Sequence, residues 1–227
     1  MSKFDSLNNP VWNALNTIQR PLALTFGLAA RYPHNVSPLA GLQKCTAAAF
    51  ADLAQLVSWG ESIALFTTTP PEVPSGWTVE RSRWIEQMVC EKPLATELCD
   101  LLELQEEDVP DMLALTAATK PGPFLEATIR MGRYRGIRSH AGTLLAMAGE
   151  RVRLGNFTEI SAVCTTPEAR GRGYGSALVT AVASRSFADG MTPFLHVKTE
   201  NGAKQLYEKL GFRVRCSIRL TVLTRAN

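Results

Sequence analysis

The stretch from Phe157 to Gly175, FTEISAVCTTPEARGRGYG, gathers residue types that bind anions and move protons. Its first residues alternate, with Ile160, Ala162 and Cys164 on one side and Glu159, Ser161, Val163 and Thr165 on the other, which predicts a strand. Thr166-Pro167 ends it, and a turn rich in arginine and glycine follows. From Ser176 the apolar residues Leu178, Ala181 and Val182 take helical spacing, with Gly190 as the stop. Strand, glycine turn and helix in this order form an anion site. Glycines accept positive φ and bring the main chain close to a ligand, and the first helical amides point at it with the positive end of the macrodipole. Diphosphate suits such a site.

Several kinds of glycine turn compete. A nucleoside-triphosphatase loop needs Gly-Lys-Ser/Thr, and Gly175-Ser176 lacks the lysine. A dinucleotide fingerprint needs G-x-G-x-x-G, whereas Gly171, Gly173 and Gly175 are spaced G-x-G-x-G. Arg172 to Gly175 also matches the start of an RNA-recognition strand, but Ser176-Ala177-Leu178 supplies no aromatic and no strand character. What remains is Arg170-x-x-Gly173-x-Gly175, which resembles the acyl-CoA pyrophosphate turn of the GNAT superfamily of N-acetyltransferases. Downstream, PFLHVKTENGAKQLYEKLGFRVR (Pro193 to Arg215) resembles that superfamily's next strand, helix and final hairpin. Ala203, Tyr207, Gly211 and Phe212 fill its A-x-x-x-Y-x-x-x-G-F motif. The wording GER…EISAVCTTPEARGRGYG…PFLHV is most similar to the branch of glycine N-acyltransferase-like proteins. One departure is that Asn201 stands one residue closer to Ala203 than the family's asparagine.

The resemblance implies an acetyl-CoA-dependent N-acetyltransferase that moves an acetyl group to a primary amine by direct attack in a ternary complex. It assigns donor binding to Arg170, Gly171, Arg172, Gly173, Tyr174, Gly175 and Ser176 at the turn, to the main chain of Val163, Cys164 and Thr165, and to Asn201. An amide near Thr165 would stabilise the oxyanion. Glu159 stands where the histone-acetylating members keep their catalytic glutamate, and a carboxylate pKa raised by partial burial would suit a base. The competing reading sets Glu159 in solvent or in a pair with Arg151 or Arg153. Tyr207 fills the slot of the acid that protonates the leaving thiolate, against the alternative of a core tyrosine on an amphipathic helix. A catalytically silent acyl-CoA-binding regulatory module is the alternative function.

Other residues carry less chemistry. His196 reads as a packed strand histidine whose side could face the acceptor, and three histidines without ligand spacing give no metal site. Arg130, Arg133, Arg135 and Arg138 read as a solvated basic face, or as a lure for an acidic acceptor. Cys164, with Ile160 and Ala162 as same-face neighbours, reads as a small hydrophobe rather than a nucleophile.

The elements that position these residues follow from punctuation and periodicity. In the first half, helices are predicted from Asn9-Pro10 and from Thr46 to Trp59, and strands at Ser62 to Phe66 and in a run ending Met88-Val89-Cys90. A proline-rich loop covers Thr67 to Gly76, and Lys92 to Glu97 is the best boundary. Beyond it come a strand at Leu101 to Leu104 and a helix capped by Asp108 with Val109, Met112, Leu113 and Thr116 as its stripe. A short helix over Phe124 to Met131 and a hairpin of Tyr134 to Ser139 with Thr143 to Arg153 follow. Periodicity gives α+β, and the resemblance implies a GNAT-like mixed, mostly antiparallel sheet flanked by helices. The resemblance also implies that residues 1–95 form an accessory or degenerate GNAT-like domain and residues 96–227 the catalytic one.

Composition sets the remaining bounds. With 227 residues, 45% hydrophobic, the chain has ample material for a core, and a net charge of +3 is too small to argue for nucleic acid or membrane. No apolar run approaches the ~20 residues of a membrane span. Five cysteines scattered without C-x-x-C spacing read as buried thiols in a reducing, cytoplasmic compartment. The expected partners are a small-molecule or peptide amine, with no nucleic acid, no membrane, no metal, and a monomeric or homodimeric chain.

Overall fold

The computed structural model describes residues 2–92, 101–198 and 202–226, so Asn201, Cys99 and most of the expected boundary lie outside the described residues. Five strands belong to the first half: β1 (Leu24–Phe26), β2 (Ala29–Arg31), β3 (Leu39–Leu42), β4 (Ser62–Thr67) and β5 (Trp77–Val89). Six more follow: β6 (Leu102–Leu104), β7 (Tyr134–Arg138), β8 (Leu144–Leu154), β9 (Phe157–Thr165), β10 (Thr192–Lys198) and β11 (Arg213–Arg225). The helices are α1 (Pro10–Leu15), α2 (Ala47–Ala54), α3 (Val109–Thr119), α4 (Tyr174–Ala188) and α5 (Ala203–Lys209). The strands form one sheet in the order β1-β2-β3-β4-β11-β5-β10-β9-β8-β7-β6. Among these pairings only β3–β4 and β9–β10 are parallel, so the fold is the expected mixed, mostly antiparallel α+β arrangement.

The predicted final hairpin does not form. RVRCSIRLTVLTR (Arg213 to Arg225) contains no Gly, Pro, Asn or Asp to reverse the chain, so it runs on as one strand of 13 residues. Its neighbour on the side of β10 is β5, which comes from the first half and lies between β10 and β11. Strands β1 to β3 were not anticipated. They are three or four residues long, and β1 is wholly exposed while β2 and β3 are wholly buried, so none alternates.

Helices cover both faces. Val11, Ala14 and Leu15 of α1 pack on Ile85, Val89, Phe157 and Phe194. On the other face Leu178, Val179, Val182 and Ala183 of α4, with Tyr207 of α5, pack on Met88, Ile160, Leu195 and Val197. The sheet curls over α1: Phe66 on β4 brings its ring centroid within 4.5 Å of that of His196 on β10, although β11 and β5 lie between these strands.

Two predicted helices shrink. The second ends at Ala54 rather than Trp59, although Thr46 caps it as expected by accepting from the Ala49 amide at 3.3 Å. Residues Thr128–Met131 form a single 3-10 turn in place of the helix expected from Phe124. In α3 the buried residues are Met112, Leu115 and Thr116, rotated from the expected stripe. Among the described cysteines Cys45 is exposed, against expectation, while Cys90 and Cys164 are buried. No helix among the described residues is long and apolar enough to cross a membrane.

Candidate active site

Three features converge where β9 meets α4. The first is the turn. Gly171 and Gly173 have φ of +77° and +80°, and a Cβ built on either would meet nothing within 4 Å. The second of these caps α4, whose first internal bond runs from the Ala177 amide to the Gly173 carbonyl, leaving the preceding amides free to point outward. Arg170, Gly171, Arg172 and Gly173 are exposed, and Arg172 reaches back to the Glu168 carbonyl at 3.3 Å. Tyr174, Gly175 and Ser176 form the first turn of the helix and are partly buried. At the foot of the turn the buried Thr166 Oγ1 has no hydrogen-bond partner.

The second feature is a gap between strands. β9 and β10 pair only from Phe157↔Thr192 to Glu159↔Phe194. Beyond that point β9 keeps β8 alone, β10 keeps β5 alone, and Val163, Cys164 and Thr165 present an unpaired edge. A bulge at Ala162, whose φ is +53°, enlarges the separation. It also breaks the predicted alternation. Ile160 and Val163 turn towards α4, whereas Cys164 and Ala162 pack with Met112 and Leu115 of α3, so Cys164 does not share a face with Ile160. Burial pushes the Cys164 thiol up to about 11, which leaves it a poor nucleophile.

The third feature is a buried polar chain at the floor of the gap. Glu159 is completely buried, and Arg151 grips it with Nε at 2.9 Å and Nη2 at 2.5 Å. His196 Nδ1 lies 2.7 Å from the same carboxylate. Burial works to raise the Glu159 pKa, but Arg151 and His196 together outweigh it and hold the value at about 2. The expected upward shift is therefore reversed, because β8 bulges next to Glu159 and delivers Arg151 against it. Gln87 fixes the other side of the imidazole. Its Oε1 accepts from Arg215 at 2.7 Å and its Nε2 donates to the Leu7 carbonyl at 3.0 Å, so the amide end 3.1 Å from His196 Nε2 is a donor. The ring thus accepts at Nε2 and donates from Nδ1 to Glu159.

Tyr207 lies on the opposite face, packed edge-on against Phe212, with its phenol pushed up to about 12 by burial. Leu206, its neighbour on α5, approaches Gly175 closely enough that a Cβ there would sit 3.5 Å away. Glu159 and Tyr207 therefore flank the gap from opposite sides of the sheet, with the glycine turn at its end.

The family model described as FR47-like protein matches residues 134–220, which span β7 to β11. An acetyltransferase of the GNAT family from Novosphingobium aromaticivorans is 38% identical, with a TM-score of 0.90 over 97% of this chain and 99% of its own. The chain belongs to the GNAT family. A GCN5-related N-acetyltransferase from Kribbella flavida shares the fold at 15% identity, with a TM-score of 0.64 over 96% of each chain. A GCN5-related N-acetyltransferase-like protein from Streptococcus suis does so at 14% identity, with a TM-score of 0.59 over 93% of this chain and 91% of its own. No curated protein matches the chain.

For a GNAT acetyltransferase the open turn fits the donor's diphosphate: two side-chain-free positions with positive φ, outward amides and an orphaned hydroxyl nearby. The described residues contain no cluster of metal ligands. Three of the four arginines of the basic run have acidic partners among the described residues. Arg133 pairs with Glu150 and Asp189, Arg138 with Asp108 and Asp111, and Arg135 with Glu103. Sequence reading missed Gln87 and Arg215 as supports of His196, since both sit on strands that meet only through the unforeseen insertion of β5.

Proposed function

We propose that this chain transfers an acetyl group from acetyl-CoA to a primary amine by direct attack in a ternary complex. The carrying observation is the loss of β9–β10 pairing after Glu159, with an exposed glycine turn at the end of the gap. Arg170 to Ser176 would hold the diphosphate, and the unpaired edge of Val163 to Thr165 would hold the pantetheine arm. Acetyl-CoA, when bound, supplies the activated thioester.

His196 takes the amine proton at Nε2 as the Gln87 amide yields, and Glu159 positions the ring and balances the imidazolium charge. Glu159 itself is too weak a base for this, being fully ionised and already held by Arg151. Tyr207, protonated throughout the neutral range, delivers a proton to the departing thiolate on the other face and takes one back from solvent.

The branch wording of glycine N-acyltransferase-like proteins suggests an acceptor with a carboxylate beside its amine. Arg83 supports this. It lies on β5 two residues beyond Ile85, the partner of the last residue of β10, and its buried Nε has no hydrogen-bond partner among the described residues. A panel of amines with and without a carboxylate, assayed with acetyl-CoA by free thiol release, tests the reading; no acceleration by any amine would overturn it. Replacing His196 by Gln should lower kcat by roughly 10²-fold or more with little change in KM.

A further inference from the structure

A separate cavity of about 270 Å³ opens at the far end of the first half, between α2 and the loop before β5. Its walls are apolar: Phe50, Ala51 and Ala54 of α2, with Trp59 and Trp77. The alanines leave room because they have no side chain beyond Cβ. Arg225 is the single charged residue among the described lining residues, and no acid faces it there. Its guanidinium carbon lies 3.8 Å over the Trp59 ring, and its Nη1 donates to the Val57 carbonyl. Its Nε is buried without any partner. Nη2 makes no hydrogen bond among the described residues and is the donor left for a ligand, and a carboxylate is the group whose geometry matches a guanidinium with unused donors.

We propose that this cavity binds a small monocarboxylate with an apolar aryl or alkyl body, the body lying against the tryptophans and the carboxylate on Arg225. The site is distinct from the gap between β9 and β10. Cys216 on β11 stands opposite Gln87, and from there to Arg225 the strand runs roughly 30 Å at ~3.3 Å per residue.

The test is a titration of the full chain with phenylacetate, hexanoate and the neutral phenylacetamide, read by tryptophan fluorescence and calorimetry. Saturable binding of both carboxylates is expected, with the amide at least about tenfold weaker. Arg225→Gln should weaken the carboxylates by about tenfold or more. Ala51→Trp, at an exposed position, should fill the cavity and abolish binding with an unchanged far-UV spectrum, which decides the matter even if Arg225→Gln fails to fold. Absent saturation, equal affinity for acid and amide, or wild-type binding by Ala51→Trp would overturn the proposal. So would self-association blocked by Ala51→Trp without carboxylate binding.

Discussion

Glu159 holds a negative charge where water does not reach, and the charge persists because Arg151 and His196 surround it. Its folded pKa is depressed, so its contribution to stability is complete above the ordinary carboxylate value and is lost as pH falls from about 4.5 towards about 2. Acid unfolding of the wild type should show this loss below pH 4.5, and Glu159→Gln should remove that part of the pH dependence. At neutral pH Glu159→Gln leaves Arg151 buried without its counter-charge and should destabilise by about 3–5 kcal/mol in urea unfolding. Pairing it with Arg151→Met should recover most of the loss, which would separate charge imbalance from loss of packing. Tyr207 behaves oppositely, since burial keeps its phenol protonated to about pH 12. Tyr207→Phe should reduce kcat while changing coenzyme A affinity by less than about twofold. Turnover at the wild-type rate would remove Tyr207 from the proton path. Glu159 and Tyr207 were both legible as chemical residues, but their surroundings were not, because a pKa depends on neighbours that arrive from other strands.

At the scale of elements, the glycine turn and the helix that follows it are written in local chemistry. Positive φ at Gly171 and Gly173 is a property of those positions alone, and the helical spacing of Leu178 and Val182 needs no partner to be recognised. Because a Cβ at Gly173 would meet open space, Gly173→Ala costs only the strain of a left-handed residue, about 1–2 kcal/mol. Coenzyme A affinity, measured by calorimetry, should fall by at least about tenfold, since the added methyl group would stand in the proposed diphosphate site. Similar affinity in the variant would place the donor elsewhere. The bulge in β9 was not legible. FTEISAVCT alternates on paper, and only the pairing register with β8 reveals the extra residue at Ala162 that turns Cys164 to the other face.

At the scale of the molecule, the first half completes the sheet of the second. β5 lies between β10 and β11, and α1 is enclosed by strands from both halves. Expressed alone, residues 96–227 should lack the shared partner of β10 and β11 and leave two unpaired strand edges exposed, so circular dichroism and gel filtration should report an unfolded or aggregated product. A folded monomer would show that the two parts are energetically separable. The sequence by itself determined the strand, glycine turn and helix from Phe157 onward and the family resemblance, but neither the unbroken last strand nor the 3-10 turn at Thr128–Met131, because caps, glycines and periodicity act over a few neighbouring residues. Tertiary structure alone decided that a strand from the first half lies between β10 and β11, and that Arg151, Gln87 and Arg215 surround Glu159 and His196. Strand pairing and charge pairing act between residues far apart in the chain, and one sequence carries no local mark of which distant strand will lie alongside.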